Sequence, residues 1–97
     1  MIINVARYFL KPGCTPQMFQ AFEEMRELTL QNEPGCLFYQ VSQSLEDEHY
    51  LILYENYADK SALEAHKTTS YFKDIIESRV LPWLERRERE IFELRVG

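Results

Sequence analysis

His66 is the residue of this chain whose type and position best suit proton transfer. It follows Leu63 by three residues and Ala62 by four, which places it on the helix face that packs toward a sheet. An imidazole in such a place is often a core side chain whose nitrogens bond to backbone groups. Its ordinary pKa near neutrality equally suits a general base. His66 is therefore a candidate catalytic residue, with a packed core histidine as the alternative.

Glu55 is the acidic residue that could act with His66. It interrupts the apolar side of a strand, where an isolated buried carboxylate is costly and must be paired, protonated or at the sheet edge. One interpretation is a salt bridge with Arg7 or Arg95. The other makes Glu55 a base or an orienting group for His66. The second interpretation predicts that the two side chains lie within hydrogen-bond reach, directly or through one water.

Five further residues are candidates for binding a substrate. Asn4 and Arg7 are three apart on a strand and so point to opposite faces, which means that only one of them lines a given cavity. Asn4 could hold a carbonyl or dioxygen, and Arg7 an anionic oxygen, although both could be strand-end polar contacts. Aromatic residues mostly belong to the core. Three of them could instead form the wall for a flat substrate: Tyr57, Phe72 and Trp83.

Composition excludes several other functions. Eleven Lys and Arg against sixteen Asp and Glu give a net charge of −5, which opposes binding to a nucleic-acid backbone. The segment ERRERE (85–90) mixes both signs and predicts a solvated helix face, with Arg86 and Glu90 four residues apart. No Gly-rich phosphate loop or metal-ligand spacing is present, so we expect no metal and no phosphate-loop cofactor.

The cysteines and the first residues bear on location. Cys14 and Cys36 form no CxxC motif, and a disulfide between them is left open by the sequence. Residues 1–13 have no basic region and carry polar residues inside the apolar stretch, so we expect neither a signal peptide nor a membrane span. We therefore expect a reduced cytoplasmic protein that contacts neither membrane nor nucleic acid.

The elements that must position these residues follow from periodicity and turn signals. Strands are predicted over 2–10, 36–44, 49–57 and 90–96. A first helix begins with Thr15 as its N-cap and ends at NEPG (32–35), and a second begins at Ser61 in a capping box with Glu64. Ser70 can cap its continuation toward Trp83, with a kink or a fresh helical turn at Pro82.

This order predicts an α+β fold, the ferredoxin-like β-α-β-β-α-β sandwich, in a single domain over residues 1–97. Its helices cover one face of the sheet. The third predicted strand is mostly apolar on both faces, because Leu51 and Leu53 alternate with Tyr50, Ile52 and Tyr54. A sheet that is apolar on both faces must be covered on both. We therefore expect a homodimer in which another copy's sheet covers the free face and helps to enclose a cavity.

Three stretches carry a resemblance to a known family: EPGCLFY (33–39), LYENY (53–57) and ALEAHKTTSYF (62–72). They resemble the antibiotic biosynthesis monooxygenases, which are dimeric α/β barrels. The resemblance implies a small oxygenase that uses neither metal nor flavin to oxidise a quinol-like or polyketide-like aromatic with dioxygen. A deprotonated phenol or enol can itself pass an electron to dioxygen, so the protein must supply a proton acceptor, oriented hydrogen bonds and a dry pocket.

Other functions of this superfamily stay open or are disfavoured. Heme-degrading members use an Asn, a Trp and a His, and the corresponding positions here are Ala6, His66 and Ile76, so heme degradation is disfavoured. AHKTT and the segment after it also resemble an isomerase that processes autoinducer-2 phosphate, although the available basic residues are scattered: Arg7, Lys67, Lys73 and Arg79. A non-catalytic ligand-binding barrel is the third possibility.

Overall fold

A computed structural model describes all residues from 1 to 97. Its strands are β1 (Ile2–Leu10), β2 (Cys36–Gln43), β3 (Tyr50–Tyr57) and β4 (Leu84–Glu93). Its helices are α1 (Thr15–Asn32), α2 (Lys60–Lys67), a π-helix over Phe72–Val80 and a 3₁₀ turn over Leu81–Trp83. The strands form one antiparallel sheet in the order β2-β3-β1-β4. The predicted ferredoxin-like α+β fold is confirmed.

The helices cover one face of the sheet, here called the inner face. On β1 the inner-face residues alternate with outer-face residues, so that Asn4, Ala6 and Tyr8 are buried while Arg7 is only half-buried. The inner-face residues of β3 continue this core: Leu51, Leu53, Glu55 and Tyr57. The alternation expected for β3 is therefore present, and it places Glu55 inside the protein.

Both predicted helix caps are wrong. Thr15 is the first residue of α1 rather than its cap, and no side chain caps that helix. The cap of α2 is Asp59, whose side chain accepts a hydrogen bond of 2.8 Å from the Ala62 backbone N–H. Asp59 is in an extended conformation just before the first turn, which lets its carboxylate reach that orphan donor, and the expected cap Ser61 lies inside the helix.

The segment after α2 differs from a regular helix. Thr69 Oγ1, rather than the predicted Ser70, accepts a hydrogen bond of 3.2 Å from the Phe72 backbone N–H. The following nine residues, Phe72–Val80, form a π-helix, in which each backbone hydrogen bond spans five residues. π-Helices are rare in proteins, and those that occur are often at functional sites. Pro82 lies in the 3₁₀ turn that follows, so a fresh helical turn rather than a continuous helix contains this proline.

The charged segment ERRERE (85–90) is part of strand β4 and not a helix. Pairing with β1 explains the difference. The free edge of β1 offers this segment a full ladder of backbone hydrogen bonds, which outweighs its helix propensity. The predicted i,i+4 contact from Arg86 is replaced by an ion pair with Glu88 at 3.4 Å, two residues along the same face. The last strand therefore starts earlier, at Leu84, and ends at Glu93.

The outer face of the sheet carries many apolar side chains that no helix of this chain covers. Tyr54 and Phe92 are exposed, and Phe9 stacks on Tyr50 with ring centroids 4.7 Å apart. Val5, Phe38 and Ile52 are half-buried on the same face, and Ile3 is buried there. An exposed apolar face of this extent is typical of an association surface.

Two further expectations concern the whole chain. None of the helices has the combination of length and apolar character that crossing a membrane requires. Cys14 and Cys36 are both buried, and each is a free thiol.

Candidate active site

Glu55 occupies the centre of the inner face. It lies on β3 between Asn4 of β1 and Tyr39 of β2, and only 3 % of its surface is exposed. The Asn4 side-chain amide donates to Glu55 Oε2 at 2.9 Å, and the Tyr57 hydroxyl donates to Oε1 at 2.6 Å. These two donors satisfy the buried carboxylate. The predicted salt bridge with Arg7 or Arg95 is wrong, since Arg7 points to the outer face.

His66 lies between two carboxylates. It is in the last turn of α2 and is 4 % exposed. Its Nδ1 is 2.9 Å from Glu33 Oε1, and its Nε2 is 3.6 Å from Glu55 Oε1. His66 and Glu55 thus lie side by side, at a separation somewhat longer than a direct hydrogen bond. The predicted proton-transfer pair is brought together inside the protein.

Glu33 is a member of this cluster that sequence reasoning missed. It follows the last residue of α1, and its carboxylate accepts hydrogen bonds from both His66 Nδ1 and the Tyr71 hydroxyl. Glu33 belongs to the EPGC turn, which by pattern predicts only a helix end. The fold brings this turn to α2, 33 residues along the chain.

Gly35 explains how the turn comes so close to α2. A Cβ atom at this position would lie 2.6 Å from the Ala62 Cβ, so only glycine allows the observed approach. Ala62 is one helical turn before His66 on the same helix face. The close contact at Gly35 therefore positions Glu33 against the imidazole.

Burial dominates the electrostatics of the cluster. It raises the pKa of Glu55, and Glu33 adds to this effect, while the Tyr57 hydrogen bond, His66 and the Asn4 hydrogen bond oppose it. Burial also raises the pKa of Tyr57, as does the neighbouring Glu55 charge. The pKa of Tyr71 is raised by burial and by its hydrogen bond to Glu33. Both tyrosines therefore remain hydrogen-bond donors at neutral pH.

The cluster is built to hold one mobile proton. With Nδ1–H donated to Glu33, His66 Nε2 faces the Glu55 carboxyl group. Two acceptor atoms without a proton between them would repel each other at that distance, so the geometry suits a proton shared between Nε2 and Glu55. A group whose protonation alternates between two such positions can take up a proton from a bound molecule and return it.

A small cavity adjoins the cluster, with a volume of about 20 Å³, which is room for about one water molecule. Its wall is partly aromatic: the Phe72 ring stands edge-on to the imidazole with centroids 5.2 Å apart. The lining residues come from the sheet and from the helices: Asn4, Tyr8, Tyr39, Leu53, Glu55, Leu63, His66, Lys67, Phe72, Ile76, Arg87 and Arg89. A larger groove of about 470 Å³ between α1 and β2 contains neither His66 nor Glu55.

The predicted substrate-binding residues lie in different parts of the fold. Asn4, Tyr57 and Phe72 belong to the cluster or to its cavity wall. Arg7 lies on the outer face, opposite to Asn4, as their spacing predicts. Trp83 is 46 % exposed in the 3₁₀ turn beside a separate surface groove, away from the cluster.

Arg87 and Arg89 also line the cavity, and sequence reasoning missed both of them. The segment that contains them was expected to be a solvated helix, in which no residue would point toward the core. As parts of β4 they stand on the inner face, beside Tyr8 and Ala6 respectively. Arg87 and Arg89 are two residues apart, which places them on one face of a strand. This spacing would have revealed them if the segment had been predicted as a strand.

The donor atoms of the cluster do not converge on one point. The two imidazole nitrogens of His66 face different carboxylates, and no group of three or more His, Cys, Asp or Glu side chains is placed to hold a metal ion. Ala6 offers no polar atom at the position where heme-degrading relatives carry Asn. The chemistry that this arrangement can perform with its own groups is proton transfer next to an aromatic wall.

Comparison with known proteins agrees with this architecture. The family model described as antibiotic biosynthesis monooxygenase matches residues 1–78. A structure from Caulobacter crescentus CB15, named for the same family, is 28 % identical, with a TM-score of 0.91 and coverage of 98 % of this chain and 90 % of that chain. A conserved protein from Methanosarcina mazei Go1 is also 28 % identical, with a TM-score of 0.89 and coverage of 97 % and 92 %. No curated protein gives a significant match.

Proposed function

Because this chain belongs to the antibiotic biosynthesis monooxygenase family, we propose that it oxidises a small quinol-like or polyketide-like aromatic with dioxygen, using neither metal nor flavin. The observation that carries the proposal is the buried series Glu33–His66–Glu55 beside a cavity with an aromatic wall. This is a proton acceptor held in place on both sides, in a site shielded from water.

The first step is removal of a proton from the substrate hydroxyl or enol. The proton passes to the pair formed by His66 Nε2 and Glu55, while Glu33 holds Nδ1–H and fixes the orientation of the ring. Burial of Glu55 makes its carboxylate a stronger base than an exposed one, because burial raises its pKa. Tyr57 and Asn4 keep that carboxylate in place through their hydrogen bonds.

The second step is electron transfer from the resulting anion to dioxygen. For an anthrone-type substrate, the reacting CH₂ carbon becomes a carbonyl, and its two hydrogens leave with one oxygen atom as water. The substrate thus supplies all four electrons, and no external reductant is required. Asn4 is the group placed to hold a carbonyl or dioxygen next to Glu55, and Phe72 contacts the flat face of the substrate.

Oxygen uptake tests this function. The purified protein, treated with a chelator and free of flavin absorbance, is given a panel of hydroquinones and anthrones in an oxygen electrode. We expect uptake of one dioxygen per substrate consumed, at a rate proportional to protein concentration. Uptake no faster than in the protein-free control across the panel would contradict the proposal.

A second candidate is an isomerase acting on a phosphorylated hydroxy-diketone. Arg87 and Arg89 favour it, because they supply at the cavity the basic groups that the sequence alone left scattered. Both reactions start by removing a proton to form an enolate-like anion, and they differ in whether dioxygen or a proton captures it. Turnover without oxygen uptake would select the isomerase. Binding without turnover would select the non-catalytic barrel.

We also propose that the outer face of the sheet packs on a second copy of the chain. Most of its apolar side chains are exposed or half-buried within one chain, and Ile52 lies near the middle of that face. Light scattering after size-exclusion chromatography should give twice the mass of one chain. Ile52→Glu, which places a charge on the apolar face, should give the mass of one chain. A single-chain mass for the unmodified protein would contradict the dimer.

A further inference from the structure

The inner face of β4 carries a local positive charge. Side chains alternate along a strand, so Arg87 and Arg89 share the inner face, whereas Glu88 and Glu90 lie on the outer face. Glu88 and Glu90 therefore point away from both arginines, and Glu93, which shares the inner face, lies four residues beyond Arg89. This is unusual in a chain whose net charge is −5.

Neither arginine has a carboxylate within ion-pair distance. Arg87 stands beside Tyr8 across the sheet, and both arginines are exposed residues that line the cavity. The carboxylate that shares the cavity with them, Glu55, is already engaged by two donors. Lys67 adds a third cation, although it is 3.4 Å from Glu64.

The residues around Arg89 on the inner face are small or apolar. Its neighbour across the sheet is Ala6, which has the smallest side chain on the inner face of β1. The next inner-face pair is Ile91 beside Asn4, about 7 Å further along the strands. Ile91 is 52 % exposed and offers an apolar surface in the row of the sheet that also contains Asn4 and Glu55.

We propose that Arg87 and Arg89 bind an anionic group of the substrate, a carboxylate or a phosphate, while the hydroxyl on the same molecule is presented to His66 and Glu55. This inference rests on the proposed function, since it names the substrate class for the same site. A guanidinium group suits either anion because its donors form a planar fork that bonds two oxygens at once. An acidic hydroxyaromatic compound is the expected ligand.

Calorimetric titration in the absence of oxygen tests this inference with matched probes. The probes are 2,5-dihydroxybenzoate, its neutral amide, and phenyl phosphate. We expect the acid to bind about tenfold more tightly than the amide, as charge-assisted hydrogen bonds predict. Arg87→Gln and Arg89→Gln should each remove most of this preference. Arg95→Gln, which removes the same charge from an exposed position outside the cavity, should retain it.

The outcomes separate this inference from the oxygenase proposal. Equal binding of acid and amide, no binding of any probe, or an unchanged preference in Arg89→Gln would overturn the anion site even if oxygen uptake is normal. An anion preference without oxygen uptake would leave the site standing and remove the oxygenase function. Tighter binding of phenyl phosphate than of the carboxylate, with displacement by inorganic phosphate, would identify phosphate as the preferred group.

Discussion

Replacing His66 by glutamine should lower the rate of oxygen uptake by about 10²- to 10⁴-fold, which is the usual contribution of a positioned general base. Glutamine has a similar length and its amide can still donate to Glu33, so packing around the helix is largely preserved. It has no nitrogen that can accept and release a proton near neutral pH. The loss should therefore appear in turnover with little change in the stability of the fold.

His49 provides the matched control for this substitution. It is the other histidine of the chain and lies in the turn before β3, beside Asp47 and Glu48 and away from the cavity. His49→Gln should leave oxygen uptake and the thermal unfolding curve close to those of the unmodified protein. A His66→Gln variant that keeps more than about a tenth of the activity would show that His66 is a packed core residue and not the base.

Replacing Glu55 by glutamine should change how stability depends on pH. Burial raises the pKa of Glu55 above 4.5, so the folded protein holds this proton more tightly than the unfolded chain does. The resulting stabilisation is complete below pH 4.5 and is lost as pH rises through the folded-state pKa. Each pH unit between the two pKa values removes about 1.4 kcal/mol from the free energy of unfolding.

The substitution should make this decline disappear, because a glutamine amide does not titrate. Asn4 and Tyr57 donate to different oxygens of Glu55, and glutamine replaces one of these acceptors by an NH₂ donor. The variant should therefore be less stable than the unmodified protein at pH 5, by about 1–3 kcal/mol. The difference should shrink as pH increases toward 9, since only the unmodified protein loses stability. Turnover should also fall, because half of the proton-accepting pair is gone.

Urea unfolding between pH 5 and pH 9 measures how the free energy of unfolding changes with pH in each protein. The exposed Glu85→Gln variant, which removes the same charge from β4, should follow the unmodified protein over the whole range. If Glu55→Gln has the same pH dependence as the unmodified protein, Glu55 is not the group that makes stability fall with pH.

Much of the fold could be predicted because it is encoded locally. Alternation of apolar residues and turn signals located the first three strands and α1, and these elements agree with the structure to within one or two residues. The start of β4 could not be found this way. Its alternating charges suit a solvated helix as well as a strand, and pairing with β1 decides between them.

The sequence predicted only those members of the candidate site whose strand or helix face can be identified from periodicity. Glu55 and His66 are eleven residues apart and lie on faces that periodicity identifies. Glu33 and Tyr71 are 38 residues apart and meet only because Gly35 lets a turn approach α2. The position of Arg87 and Arg89 on the inner face could be predicted only if their segment were assigned to β4. Contacts of this kind follow from tertiary packing, which no local pattern records.

The size of the cavity has a consequence for affinity. At about 20 Å³ it can hold water but no aromatic ring, whereas sites for small organic molecules usually enclose at least about 300 Å³. A substrate ring at the exposed edge of the cavity can therefore bring its hydroxyl to His66 and Glu55 only in a conformation in which the lining has moved apart. The observed dissociation constant is then the intrinsic one divided by the population of that conformation. Any change that loosens the contact between Phe72 and His66 would strengthen binding without adding an interaction with the ligand.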